Sequence, residues 1–144
     1  MGYYLVVFDL ATDEFLAWVG LDAAHRARHG VTTFCLEAHL TFHREVRVGD
    51  PLRFTTQLLA HDEKRIHYFH AMYHAGDGYL AATNELMSLH VSEATRRSAP
   101  MAAAVLERLA RIRAAHGALP RPPQVGRVIG LGAGGGRVSK GGSG

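Results

Sequence analysis

The feature that most constrains this chain is a change of hydrophobic period near residue 31. From 31 to 48, Phe34, Leu36, Ala38, Leu40, Phe42, Val46 and Val48 fall on one side of an extended chain. Thr33, Cys35, Glu37, His39, Thr41, His43, Glu45 and Arg47 fall on the other. Successive side chains of a strand point to opposite faces, so the pattern predicts a long strand with one buried face. Just upstream the period is that of a helix. Tyr4, Phe8, Ala11, Phe15, Trp18 and Val19 recur at three and four, with Asp9, Asp13 and Glu14 placed elsewhere. "GLD" at 20 to 22 supplies a glycine stop, and "AAHRARHG" at 23 to 30 reads as a short helix or a loop.

The remaining chain extends this β reading. "VGDP" at 48 to 51 is a turn signal, after which "LRFTTQLLA" reads as the returning strand. "HDEKR" turns the chain into "IHYFHAMYHA", and "GDG" at 76 to 78 closes a hairpin into "YLAATNELMSLHV". The sum is one helix followed by four antiparallel strands. "AAAVLERLARIRAAH" at 102 to 116 predicts a second, surface-laid helix with Val105, Leu109 and Ile112 on one stripe. A helix laid on such a sheet is an α+β design. Four strands are narrow cover for the first helix, and a fifth, ahead of it, is expected along one edge. Residues 1–131 are expected to form one domain, and the glycine-rich 132–144 to be disordered.

Composition removes several classes of function. At 144 residues the chain can bury a core without staples. Its single cysteine, Cys35, excludes an internal disulfide and a multi-cysteine metal site and fits a reducing compartment, the cytoplasm by default. Asp9, Asp13 and Glu14 interrupt the apolar opening, so neither a secretory leader nor a membrane span is expected. The net charge of +3 comes with arginines crowded into the last third and no aromatic-interleaved basic stretch, which argues against nucleic acid. No HExxH, no Cys/His set and no GxSxG elbow is present, so no metal and no Ser-His-Asp triad is expected.

Three segments together resemble a known family: "GYYLVVFDLATDEFLAWVGLD", "EAHLTFHREVRVGDPLRF" and "ATNELMSLHVSEATRRSAP". Over residues 1 to 130 the chain looks like a hotdog-fold acyl-CoA thioesterase of the 4-hydroxybenzoyl-CoA thioesterase-like superfamily. Within it, the chain is most similar to a bacterial branch related to thioesterase domains fused to carnitine dehydrogenases and associated with betainyl-CoA hydrolysis. The resemblance implies a central helix wrapped by a long-stranded antiparallel sheet and hydrolysis of a short or polar acyl-CoA. It implies a homodimer, or a tetramer built from it, and CoA thioester as substrate with no separate cofactor. Such families carry an Asp-x-Asn-Gly-His motif and a strand just before the helix, and this sequence begins where that motif would end. The catalytic aspartate therefore has no position in this numbering. The alternative expectation is a non-catalytic acyl-CoA-binding or dimerisation module.

The site candidates follow from the chemistry. Thioester hydrolysis needs a base for water and donors for an oxyanion. A helix N-terminus offers free backbone N–H groups, and the family places the thioester carbonyl there, so Gly2 and Tyr3 are the oxyanion candidates. Glu37 and His39, two apart on one strand face, offer a base and its orienting partner, or polar contacts across a dimer; an ordinary solvated face is the plain alternative. Asn84 and Glu85, mid-strand among apolar residues, point into either a substrate pocket or a structural network. Arg96 and Arg97 suit CoA phosphates through bidentate hydrogen bonds. Tyr3, Tyr4, Phe8 and Trp18 offer cation–π contacts to a trimethylammonium acyl group, with core packing the better account of Phe8 and Trp18.

Overall fold

A computed structural model describes residues 2–131. In chain order it contains α1 (Gly2–Trp18), α2 (Ala23–His29), β1 (Val31–Phe42), β2 (Leu52–His61), β3 (Arg65–His74), β4 (Leu80–Ser92), the two-residue β5 (Arg97–Ser98) and α3 (Ala103–His116). The expected disordered segment, 132–144, and Met1 lie outside the described residues.

Phe8, Phe15, Leu16 and Val19 set α1 against the sheet, each below 5% exposed. Trp18, expected on the same stripe, is 53% exposed, because it sits at the rim of the buried arc, its ring 6.4 Å from that of Phe15. Gly20 ends the helix at φ +100, a conformation that disfavours any side chain, and Leu21 N–H then reaches back to Leu16 O at 2.8 Å. Asp22 opens α2 by accepting from His25 N–H at 2.8 Å.

The sheet runs in the order β1-β4-β3-β2, all antiparallel, with β5 paired to the end of β4. β3 and β4 form the expected hairpin. β1 and β2 do not: they lie at opposite edges, and residues 43–51 carry the chain from one to the other past the start of α1. The "VGDP" turn does form within this crossing, with Asp50 N–H donating to Arg47 O at 3.0 Å and Gly49 at φ +98. The crossing is fixed to α1, as the Tyr4 hydroxyl accepts from Val46 N–H at 3.0 Å and Val46 itself is buried.

The alternation read along β1 also departs from expectation. A bulge between Cys35 and Glu37 shifts the register, and a one-residue slip exchanges the faces of everything on one side of it. Ala38, Leu40 and Phe42 keep the phase of the helix-facing side, whereas Phe34 pairs with Leu89 in the phase of the outer face. Phe34, Leu36, Phe42 and Val48 are all exposed, from 45% to 79%, so the expected buried face is largely uncovered in a single chain.

The core sits between α1, α3 and the inner face. Phe15, Leu16, Val19, Leu58, Ile66, Tyr68 and Leu86 pack with Met101, Val105, Leu109 and Ile112, which makes α3 the cover over the end of α1. A second cluster, Phe8 with Val46, Met72, Ala81 and Ala82, lies beneath the first half of α1.

Candidate functional site

The register divides the candidate residues between two faces. On β3, Ile66, Tyr68, His70 and Met72 point toward α1; on β4 their partners Ser88, Leu86, Asn84 and Ala82 do the same. His67 and Glu85 therefore point away from α1, as do Glu37 and His39, paired to Met87 and Glu85.

The exposed first turn of α1 holds Gly2 and Tyr3, and N–H groups there have no partner within the helix. A side chain added at Gly2 would meet nothing within 4 Å, so the approach to this turn is open whether or not a glycine stands there. Tyr3 is half-buried beside the Phe8 cluster, its ring edge-on to Tyr4 at 6.4 Å. Tyr4 is committed to structure: its hydroxyl holds Val46 N–H, and its ring meets Phe42 edge-on at 5.1 Å. Phe8 is 1% exposed and stacked on His70. This leaves Tyr3 as the aromatic of the set nearest the open turn.

Beneath the middle of α1 lies a polar group that periodicity did not single out. His70 is completely buried, with Nε2 3.0 Å from the Thr12 hydroxyl of α1 and Nδ1 2.8 Å from the Thr56 hydroxyl of β2. Phe8, Phe15 and Tyr68 surround the ring. Burial penalises the imidazolium and holds the pKa down at about 4, so at neutral pH one threonine accepts from the ring and the other donates to it. The signal was available, since His70 shares the phase of Ile66, Tyr68 and Met72, and Thr12 lies four residues after Phe8. Asn84 sits beside it across the β3–β4 ladder, 4% exposed, with Oδ1 lacking a hydrogen-bond partner among the described residues.

On the outer face, Glu85 Oε2 meets His67 Nε2 at 2.7 Å and Glu85 Oε1 accepts from Gly126 N–H at 2.9 Å. Burial alone would raise this carboxyl, but the Gly126 N–H and the His67 bond outweigh it and hold the pKa below the ordinary value. Both oxygens of Glu85 are thus engaged, whereas Glu37 and His39 line the same pocket, of about 370 Å³, without a hydrogen bond to either. The sheet stands between these residues and the first turn of α1 within one protomer.

Arg96 lies exposed at the end of the turn from β4 and Arg97, also exposed, opens β5; Arg96 holds φ +61, a left-handed conformation that costs energy for a side chain of this size. Neither is in an ion pair among the described residues. Among those residues no three His, Cys, Asp or Glu side chains are arranged to hold a metal ion, and no helix is long and apolar enough to cross a membrane.

A central helix laid on a long-stranded antiparallel sheet, with a second helix over its end, defines the α+β hotdog architecture. The chain belongs to the Thioesterase-like superfamily, whose pattern matches residues 1–109. It is 49% identical over 130 residues to the betainyl-CoA thioesterase of Pseudomonas aeruginosa, a match covering 90% of this chain and 82% of that protein. It is 36% identical over 127 residues to the L-carnitine dehydrogenase/betainyl-CoA thioesterase of Rhizobium meliloti, covering 88% of this chain but 25% of that much longer protein. Among solved structures it resembles a Staphylococcus aureus protein in complex with CoA, with TM-score 0.83 and 29% identity over 90% of this chain and 81% of that one. A putative thioesterase from Pseudomonas putida gives TM-score 0.75 and 32% identity over 90% of this chain and 82% of that one.

Proposed function

We propose that the chain hydrolyses a short, polar acyl-CoA, with betainyl-CoA the first substrate to test. The observation that carries this reading is the 49% identity, across nine-tenths of the chain, to a protein named for that thioesterase activity. The geometry supplies a place for the chemistry. A thioester carbonyl at the first turn of α1 meets free N–H groups at Gly2 and Tyr3 and the positive end of a 17-residue helix. Water adds to that carbonyl and passes its proton to a base; the tetrahedral oxyanion collapses, and CoA leaves as the thiol once its sulfur is protonated. Tyr3 stands in the turn that holds the carbonyl, Asn84 lies deeper, buried beside His70 under the middle of α1, and Arg96 and Arg97 meet the CoA phosphates.

The base is the open part of the constellation. Within one protomer Glu37 and His39 face away from α1, so they reach the carbonyl only from a second subunit, if at all. We favour a carboxylate from an Asp-x-Asn-Gly-His segment upstream of α1. The free edge of β2 supports this: between it and α1 runs an apolar cleft of about 470 Å³, lined by Val7, Ala11, Leu52 and Phe54, suited to an additional strand leading into the helix. Two copies join along the open edge of β1 as a homodimer, with a tetramer as a further assembly, and the cytoplasm is the compartment that fits an exposed free Cys35.

Release of free CoA thiol from betainyl-CoA, acetyl-CoA and a long-chain acyl-CoA tests these assignments. The assay compares this 144-residue chain with one extended upstream by an Asp-x-Asn-Gly-His segment and its strand. The expectation is preference for the short polar substrate and a rate at least about a hundredfold higher in the extended chain. Equal rates in both would remove the upstream aspartate from the mechanism. No thiol release by either would leave acyl-CoA binding or dimerisation as the role.

A further inference from the structure

After α3 the chain returns across the outer face of the sheet. Residues 119–128 are attached there at two adjoining points, and Gln124 Nε2 also lies 3.5 Å from Nε2 of the exposed, titratable His43. Val125 packs against Leu59, Phe69 and Ala71, with Tyr73 and Leu80 beside it. The next residue, Gly126, donates its N–H to Glu85, whose other oxygen is bonded to His67 of β3. On one side of this attachment lies the pocket of about 370 Å³ lined by Glu37, His39 and Arg127. On the other lies a cavity of about 200 Å³ bounded by Phe69, Ala71, Leu119 and Pro122. The segment is therefore seated mainly on one apolar plug and one carboxylate, the exposed Gln124–His43 contact being long, with space to either side.

We propose that residues 119–128 form an acid-released strap, seated by the Glu85 carboxylate, whose lifting joins the two cavities into one open surface on the sheet's outer face. A single carboxylate can control the seat because it bridges strap and sheet with its two oxygens. The charged and titratable groups facing it are His67 from β3, Glu37 and His39 from β1, and Arg127 from the strap itself. Protonating Glu85 weakens the charge-assisted bond to Gly126 and removes the attraction to His67 together. The direction follows from the depressed carboxyl. Its contribution is present above the ordinary carboxylate pKa and is lost as pH falls through the lower folded value. What remains is Val125 in its apolar nest and the long, exposed contact between Gln124 and His43.

Amide hydrogen exchange on the full chain, followed from about pH 7 to about pH 3 and corrected for intrinsic rates, tests this. In the wild type, protection at Gly126 and its neighbours should fall at least about tenfold on acidification while the amides of β3 and β4 stay protected. Glu85→Gln keeps an oxygen for the Gly126 N–H but cannot titrate, so the acid step should vanish. Val125→Asp should free the strap at every pH with the sheet's circular dichroism unchanged. The proposal fails if Glu85→Gln shows the same acid step, if the wild type shows none, or if strap and sheet amides lose protection together.

Discussion

His70 places a titratable ring where the fold has room only for the neutral form. Its pKa falls from 6.5 to about 4 through burial, so between those values the unfolded chain takes up a proton that the folded chain refuses. Stability is therefore complete above about pH 6.5 and drops as pH falls toward about 4, by up to roughly 3 kcal/mol if the whole shift is realised. His70→Leu should lower stability by about 1–3 kcal/mol at neutral pH, because the Thr12 and Thr56 hydroxyls lose their buried partner. The same variant should flatten the acid slope. Urea unfolding at neutral and acid pH measures both effects; an unchanged slope would show that His70 does not set the acid response. The ring also fixes α1 to β2 through two hydroxyls, so the register of the helix, and with it the position of Gly2 and Tyr3, depends on one side chain three turns away.

At the scale of elements, α3 is the piece whose packing was plainest in the sequence. Leu109 is fully buried among Phe15, Leu58, Tyr68 and Met101, and Leu109→Ala should cost about 3 kcal/mol. Thermal unfolding would show it as a drop of several degrees, and a change below about one degree would mean that α3 is not part of the core. Periodicity located α1 and α3 because each buries one unbroken helical stripe, and the β3–β4 hairpin because its two strands pair across a short turn. It misread β1 in two ways with physical causes. A bulge inserts one residue and exchanges faces, which leaves no trace in a polar/apolar count, as Phe34 shows. The turn at 48–51 is a real turn, but turn chemistry says nothing about which strand the chain joins afterwards, and β2 finds β3 rather than β1. The candidate site was legible as residue types but not as an arrangement. Glu37, His39 and Glu85 are placed together on the outer face, whereas Gly2, Tyr3 and Asn84 belong to the other side; face assignment across four strands depends on register, which only the folded sheet fixes.

For the whole molecule, the exposed apolar residues point one way. β4 pairs one edge of β1 and leaves the other open, and Leu36 and Phe42 on that strand are 48% and 45% exposed. Leu5, Val6 and Leu10 on α1 are exposed to a similar degree. An open edge of twelve residues with apolar neighbours is an association hazard unless another chain covers it. A twofold pairing of β1 with its copy satisfies that edge with backbone hydrogen bonds and makes a continuous sheet of eight long strands. A stable interface of this kind buries about 800 Å² on each partner, more than Leu36 and Phe42 alone provide, so the α1 residues must share in it. Sedimentation velocity should find a dimer for the native chain. The double variant Leu36→Lys, Phe42→Lys places four like charges at the seam and should sediment as a monomer while keeping the circular dichroism of the sheet. If the active arrangement draws on both subunits, that monomer should also lose thioester hydrolysis. A folded double variant that remains dimeric would move the interface away from β1, and a monomeric but fully active one would show that each protomer carries a complete site.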